Sequence, residues 1–73
     1  MTLKGKRVFA RTELSYGSFT VLPYSEGIVE HHFPDAGAAW VRWDTNPGRE
    51  RYVEITSIAP VLTGLDVMLR LLP

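Results

Sequence analysis

The chain has 73 residues, 45% of them hydrophobic, with eight lysines and arginines against eight aspartates and glutamates and no cysteine. That size allows one domain near the lower limit for independent folding, and the apolar content is too high for a disordered chain. The zero balance removes the overall cation excess that non-specific nucleic-acid binding draws on, and the missing cysteine excludes disulfides and thiolate chemistry.

No charged-then-apolar leader opens the chain, and no apolar run approaches the ~20 residues of a membrane span. With the lack of cysteine, this points to a soluble protein of the reducing cytoplasm. A core of this size supplies only about 3–5 kcal/mol of net stability, so self-association or a partner would help.

The first expected strand runs from Lys6 to Thr12, with Val8 facing inward and Gly5 turning the chain into it. Lys4, Lys6, Arg7 and Arg11 make this end locally basic. Residues 13–26 interleave turn formers (Ser15, Gly17, Ser18, Pro23, Ser25) with Tyr16, Phe19 and Tyr24. That is the composition of a long, partly ordered loop, and compact domains rarely keep such a loop without a use for it. Gly27 reads as a turn glycine opening a second strand that ends near Phe33. Pro34-Asp35-Ala36-Gly37 is a turn signal.

The strongest local pattern spans residues 38–56. A third strand, Ala39 to Asp44, puts Ala39, Val41 and Trp43 on one face and Trp40, Arg42 and Asp44 on the other. A fourth, Arg51 to Thr56, sets Val53 and Ile55 against Tyr52, Glu54 and Thr56. Burial selects the β-branched faces, which leaves Trp40, Arg42, Tyr52 and Glu54 together in water. There Arg42 is placed to stack on an aromatic ring or to pair with Glu54. A four-residue turn at Asn46 to Arg49 would set Val41 opposite Glu54 and invert the faces, so a longer loop or a bulge near Gly48 is required. Ser57-Ile58-Ala59 reads as a single helical turn, and Pro60-Val61 as a short last strand. In the tail, Leu65, Met68, Leu69 and Leu72 fall on one helical face, with Thr63 and Asp66 as a capping pair and Arg70 near the end. A strand over Val67 to Leu71 is the other reading of the tail.

Weighed as chemistry, the sequence is sparse. His31 and His32 alternate across a strand, so they do not share a metal ion within one chain. No Ser/His/Asp set has the spacing of a known triad, and Gly17 and Gly27 are too isolated for a phosphate loop. Asp44, Glu50 and Glu54 cluster on one hairpin, where carboxylates normally stay solvated. No cofactor is implied. Trp40, beside Arg42 and Tyr52, has the composition of an interface hot spot.

The order Gly5-Lys6-Arg7-Val8, a long loop, Tyr24-Ser25-Glu26-Gly27-Ile28-Val29, Trp40-Val41-Arg42-Trp43-Asp44, then Ile58 and Val61 resembles the SH3-like small barrels of the Tudor and KOW kind. These include small bacterial and phage domains with a G-x-x-V … G-x-V … V-x-W-D layout. The resemblance covers about residues 4–61 and leaves an apolar tail at 62–73. It implies an all-β fold, a five-stranded SH3-like small barrel with a short C-terminal helix or apolar tail. Its binding surface would be the first loop and nearby strand aromatics. Tudor-like domains use an aromatic cage beside a carboxylate; Tyr16, Phe19, Tyr24, Trp40 and Tyr52, with Glu26 or Asp44, are the candidates. Plasmid-type dihydrofolate reductase barrels are similar in size, but Tyr52-Val53-Glu54-Ile55 lacks their Val-Gln-Ile-Tyr stretch, so that activity is not carried over.

The sequence therefore leads to a non-enzymatic protein-interaction module. It would self-associate or bind a protein partner through Trp40, Arg42, Tyr52 and Tyr24, or through Leu65, Met68 and Leu69. The alternative is a nucleic-acid-binding barrel in which Lys4, Lys6, Arg7 and Arg11 hold phosphates while Trp40 or Tyr24 stacks on bases. A third reading, an enzyme completed on an oligomer axis, has the least behind it.

Overall fold

The computed structural model describes residues 2–62. Seven strands follow one another: β1 (Arg7–Ala10), β2 (Leu14–Ser15), β3 (Thr20–Val21), β4 (Glu26–Phe33), β5 (Ala38–Trp43), β6 (Arg51–Glu54) and β7 (Ile58–Pro60). Short 3-10 turns at Pro34–Ala36 and Ile55–Ser57 connect β4 to β5 and β6 to β7. β6-β5-β4-β1-β7 form one antiparallel sheet, and β2 and β3 form a separate hairpin. The fold is all-β, and no pairing among the described residues joins β6 to β7.

Alternation builds the core. Val8 and Ala10 of β1, Val29 of β4, Ala39, Val41 and Trp43 of β5 and Val53 of β6 are all buried. They form one apolar cluster, and no polar residue among those described is buried. The expected inward faces of the third and fourth strands hold, and Trp43 is the largest fully buried side chain. Ile55 is half-buried against the cluster, at the start of the second 3-10 turn. The loop after β5 is long, as the face argument requires: residues 44–50 separate the strands, and Val41 lies opposite Arg51 rather than Glu54.

Three elements differ from the sequence reading. Gly27 opens no turn; it lies inside β4, opposite Trp43, where a Cβ would stand 2.7 Å from the Arg42 carbonyl oxygen. Only glycine lets β4 and β5 approach so closely. The 13–26 loop contains the β2–β3 hairpin, whose Val21 is fully buried. The helical turn sits at Ile55–Ser57, earlier than expected, because Ile58 is drawn into the core and Ile58–Pro60 pairs with β1. The expected C-terminal helix or strand lies outside the described residues. No helix among them is long and apolar enough to cross a membrane.

Candidate functional site

The outward side chains of β4, β5 and β6 form rows set by strand register. In one row Tyr52 pairs with Trp40 and Trp40 with His31; in the next, the exposed Glu54 and Phe33 flank Ala38, which is itself buried. Trp40 is 37% exposed and Tyr52 53%. Their rings meet edge to face, 6.3 Å apart at 82°. His31 and Phe33 stack at 6.4 Å beside them, which extends the aromatic surface over three strands. On the opposite face of β5, Val41 and Trp43 lie in the buried core.

His31 and Phe33 were not foreseen as part of this surface. Strict alternation from the buried Val29 would turn both inward. The register shifts between Val29 and His31, and that bulge reverses the parity of the rest of β4. A row of aromatics at His31, Phe33 and Trp40 was the only available hint.

Arg42 neither stacks on Trp40 nor pairs with Glu54. Its guanidinium donates to Glu30 at 2.7 Å, to Glu50 at 3.0 Å and to the Pro47 carbonyl oxygen at 2.7 Å. The Glu30 hydrogen bond is the main cause of its raised pKa. Arg42 thus fastens the 44–50 loop to β4. Glu54 is exposed and has no cationic partner among the described residues.

The remaining candidates are dispersed. Tyr16 and Phe19 stack at 5.2 Å in the β2–β3 hairpin, with the Arg51 guanidinium 4.8 Å above the Phe19 ring. The Tyr16 hydroxyl donates to the Tyr52 carbonyl oxygen at 2.8 Å and accepts from the Trp43 indole at 3.4 Å. Burial pushes the Tyr16 phenol pKa up. Tyr16 and Phe19 are thus occupied inside the fold. Tyr24 lies elsewhere, 6.0 Å from Phe9. Tyr16 pairs with Phe19 and Trp40 with Tyr52, Tyr24 lies against Phe9, and Tyr16 and Tyr52 line one shallow pocket together. Glu26 and Asp44, the cage carboxylates considered, both bind Arg7.

Tyr24 has its own character. It is 77% exposed and its φ of 69° is left-handed, unusual for a tyrosine. It borders a groove of about 610 Å³ walled by Phe9, Pro60, Val61 and Leu62. Leu65, Met68 and Leu69 lie outside the described residues.

The basic cluster is not four free cations. Arg7 is held by Glu26 and Asp44, with the Asp44 hydrogen bond the main cause of its raised pKa. Arg11 reaches the Thr56 carbonyl oxygen at 3.4 Å. Lys4 and Lys6 are exposed around the turn before β1. His32 accepts a hydrogen bond from the Leu3 amide at Nδ1, 3.0 Å away, and so secures the segment before β1. Among the described residues, no three His, Asp or Glu side chains are grouped to hold a metal. Asp44 and Glu50 bind different arginines, Arg7 and Arg42.

The chain matches no protein-family model, no curated protein and no solved structure.

Proposed function

We propose that the protein is a non-enzymatic interaction module of the SH3-like small-barrel type, and that it engages a protein partner on the outer face of β4, β5 and β6. The carrying observation is the Trp40–Tyr52 ring pair, exposed in the middle of a face backed by the buried Trp43. Aromatic side chains on a rigid support bind with little loss of conformational entropy, which is why they dominate interface hot spots. The strand order β7-β1-β4-β5-β6, the hairpin after β1 and the 3-10 turn before β7 support the barrel reading. Protein is favoured over nucleic acid because Arg7, the centre of the basic cluster, is already neutralised by two carboxylates.

A second contact is proposed at the groove of Phe9, Tyr24, Pro60 and Leu62. Its walls are mainly apolar, with Glu26 the charged residue among them. The apolar residues Leu65, Met68 and Leu69 have the chemistry to fill such a groove.

Light scattering and partner capture test the reading together. The Trp40→Ala/Tyr52→Ala double variant is expected to keep its fold and lose association with itself or its partner. A strictly monomeric protein whose captured partners are unchanged by both substitutions refutes it.

A further inference from the structure

We infer that His32 is a pH-sensitive latch. As a neutral imidazole it straps residues 2–4 over the inner side of the sheet. On gaining a proton it releases that strap and uncovers the apolar surface against which Leu3 packs. The latch lies on the other side of β4 to β6 from the aromatic face and works without it.

The bulge between Val29 and His31 that turns His31 outward turns His32 inward, into a row with Ala39 and Val53. Ala39 and Val53 are buried and His32 is half-buried. Leu3 packs against the same apolar cluster, and its amide N–H donates to His32 Nδ1 at 3.0 Å. A ring nitrogen accepts only through its lone pair, so this bond requires the neutral ring with its proton on Nε2. The protonated ring carries N–H at both nitrogens. Nδ1 then meets the Leu3 amide donor to donor, and the bond is lost.

The backbone sets where release stops. Gly5 donates to the Val29 carbonyl oxygen at 2.7 Å, and Val29 donates to the Lys6 carbonyl oxygen at 3.0 Å. Neither bond involves His32, so both keep residues 5 and 6 on β4. Gly5, with a φ of 80°, is the hinge. The bond from the Lys6 amide to the Leu3 carbonyl oxygen, 2.9 Å long, is the turn contact that release opens. Nor does a counter-charge hold the protonated ring in place. Among the described residues no carboxylate pairs with His32. On β4, His31 faces the other way and Glu30 is bound to Arg42. Asp35 is exposed on the 3-10 turn that follows. On β5 the neighbour is Ala39, and on β6 the inward charge is Arg51, over the Phe19 ring. The strap and the start of β1 carry Lys4, Lys6 and Arg7, which are cations as well.

The test is a titration of the full chain, labelled with nitrogen-15 and carbon-13, from about pH 8 to about pH 5, the range in which an imidazole changes charge. The Leu3 amide is expected to shift together with the His32 ring. Residues 2–4 should gain motion in the heteronuclear NOE while β1 and β5 stay ordered. The ratio of docked to released strap should fall about threefold to tenfold, the worth of one hydrogen bond. His32→Gln keeps an acceptor that does not titrate, so its strap should stay docked throughout. His32→Phe should leave the strap free at every pH, and His31→Gln should titrate as wild type does. If the wild-type strap stays ordered at about pH 5, or if its order still follows pH in His32→Gln or His32→Phe, His32 is not the latch. If His31→Gln abolishes the response, the neighbouring ring is responsible and the inference fails. If β1 and β5 lose order along with the strap, acid unfolds the sheet rather than freeing one segment, and the inference fails as well.

Discussion

Replacing Gly27 with alanine probes the closest approach in the fold. The new Cβ would lie 2.7 Å from the Arg42 carbonyl oxygen, 2.9 Å from Val41 Cγ1 and 3.0 Å from Trp43 Cα. Two of these neighbours are backbone, so no side-chain rotation relieves them all. Restoring ordinary contact requires the Arg42 carbonyl to retreat by about 0.7 Å, which parts β4 from β5 where Trp43 faces Gly27. Overpacking of this kind costs roughly 1–3 kcal/mol. A chain this small holds only about 3–5 kcal/mol in total, so the loss is a large fraction of it. At about 4–8 °C per kcal/mol, a 2 kcal/mol loss lowers Tm by about 8–16 °C. The assay is urea and thermal unfolding followed by tryptophan fluorescence and circular dichroism. Gly48→Ala is the control, since a Cβ there meets nothing within 4 Å; it should change stability by no more than about 0.5 kcal/mol. If Gly27→Ala costs no more than this control, close strand approach is not the reason for glycine at that position.

Tyr16→Phe removes the links to Tyr52 and Trp43 and is expected to cost about 0.5–1.5 kcal/mol near neutral pH. Because burial raises the Tyr16 pKa, the folded protein keeps a proton that the unfolded chain releases. Wild-type stability should therefore fall as pH rises past the ordinary phenol value of 10.0 and through the raised folded value. The difference between wild type and Tyr16→Phe should narrow over that window, and a constant difference in pH-dependent unfolding would refute it. Tyr24→Asn relieves a left-handed backbone and is expected to stabilise the fold by about 0.5–1.5 kcal/mol in chemical unfolding. A loss of stability would show that the Tyr24 contact with Phe9 outweighs the strain. Arg42→Ala releases Glu30, Glu50 and the Pro47 carbonyl oxygen, so amide exchange across residues 44–50 should accelerate while that of β1 is unchanged. Uniform acceleration would mean that Arg42 supports the whole fold rather than the loop.

Much of the architecture is readable along the chain because local sterics decide it. In β5, Ala39, Val41 and Trp43 alternate with Trp40 and Arg42, and a pleated strand has only two ways to place such a pattern. The conflict between the Val41 and Val53 faces was enough to demand a longer loop or a bulge near Gly48, and the structure has the loop, residues 44–50. Trp40 and Tyr52 are legible as exposed partners for the same reason. The 13–26 segment is less legible. Its two-residue strands carry almost no periodic signal, so the buried Val21 is hidden among turn formers.

The sequence by itself determined the all-β class, the inward face of the central hairpin and the presence of an aromatic surface, since each follows from alternation within a few residues. Tertiary structure alone decided the bulge that turns His31 and Phe33 outward and the strand contact that excludes a Cβ at Gly27. It also decided the carboxylates that claim Arg7 and Arg42. Each of these depends on what a distant segment places opposite a residue, and spacing along one strand carries no record of that.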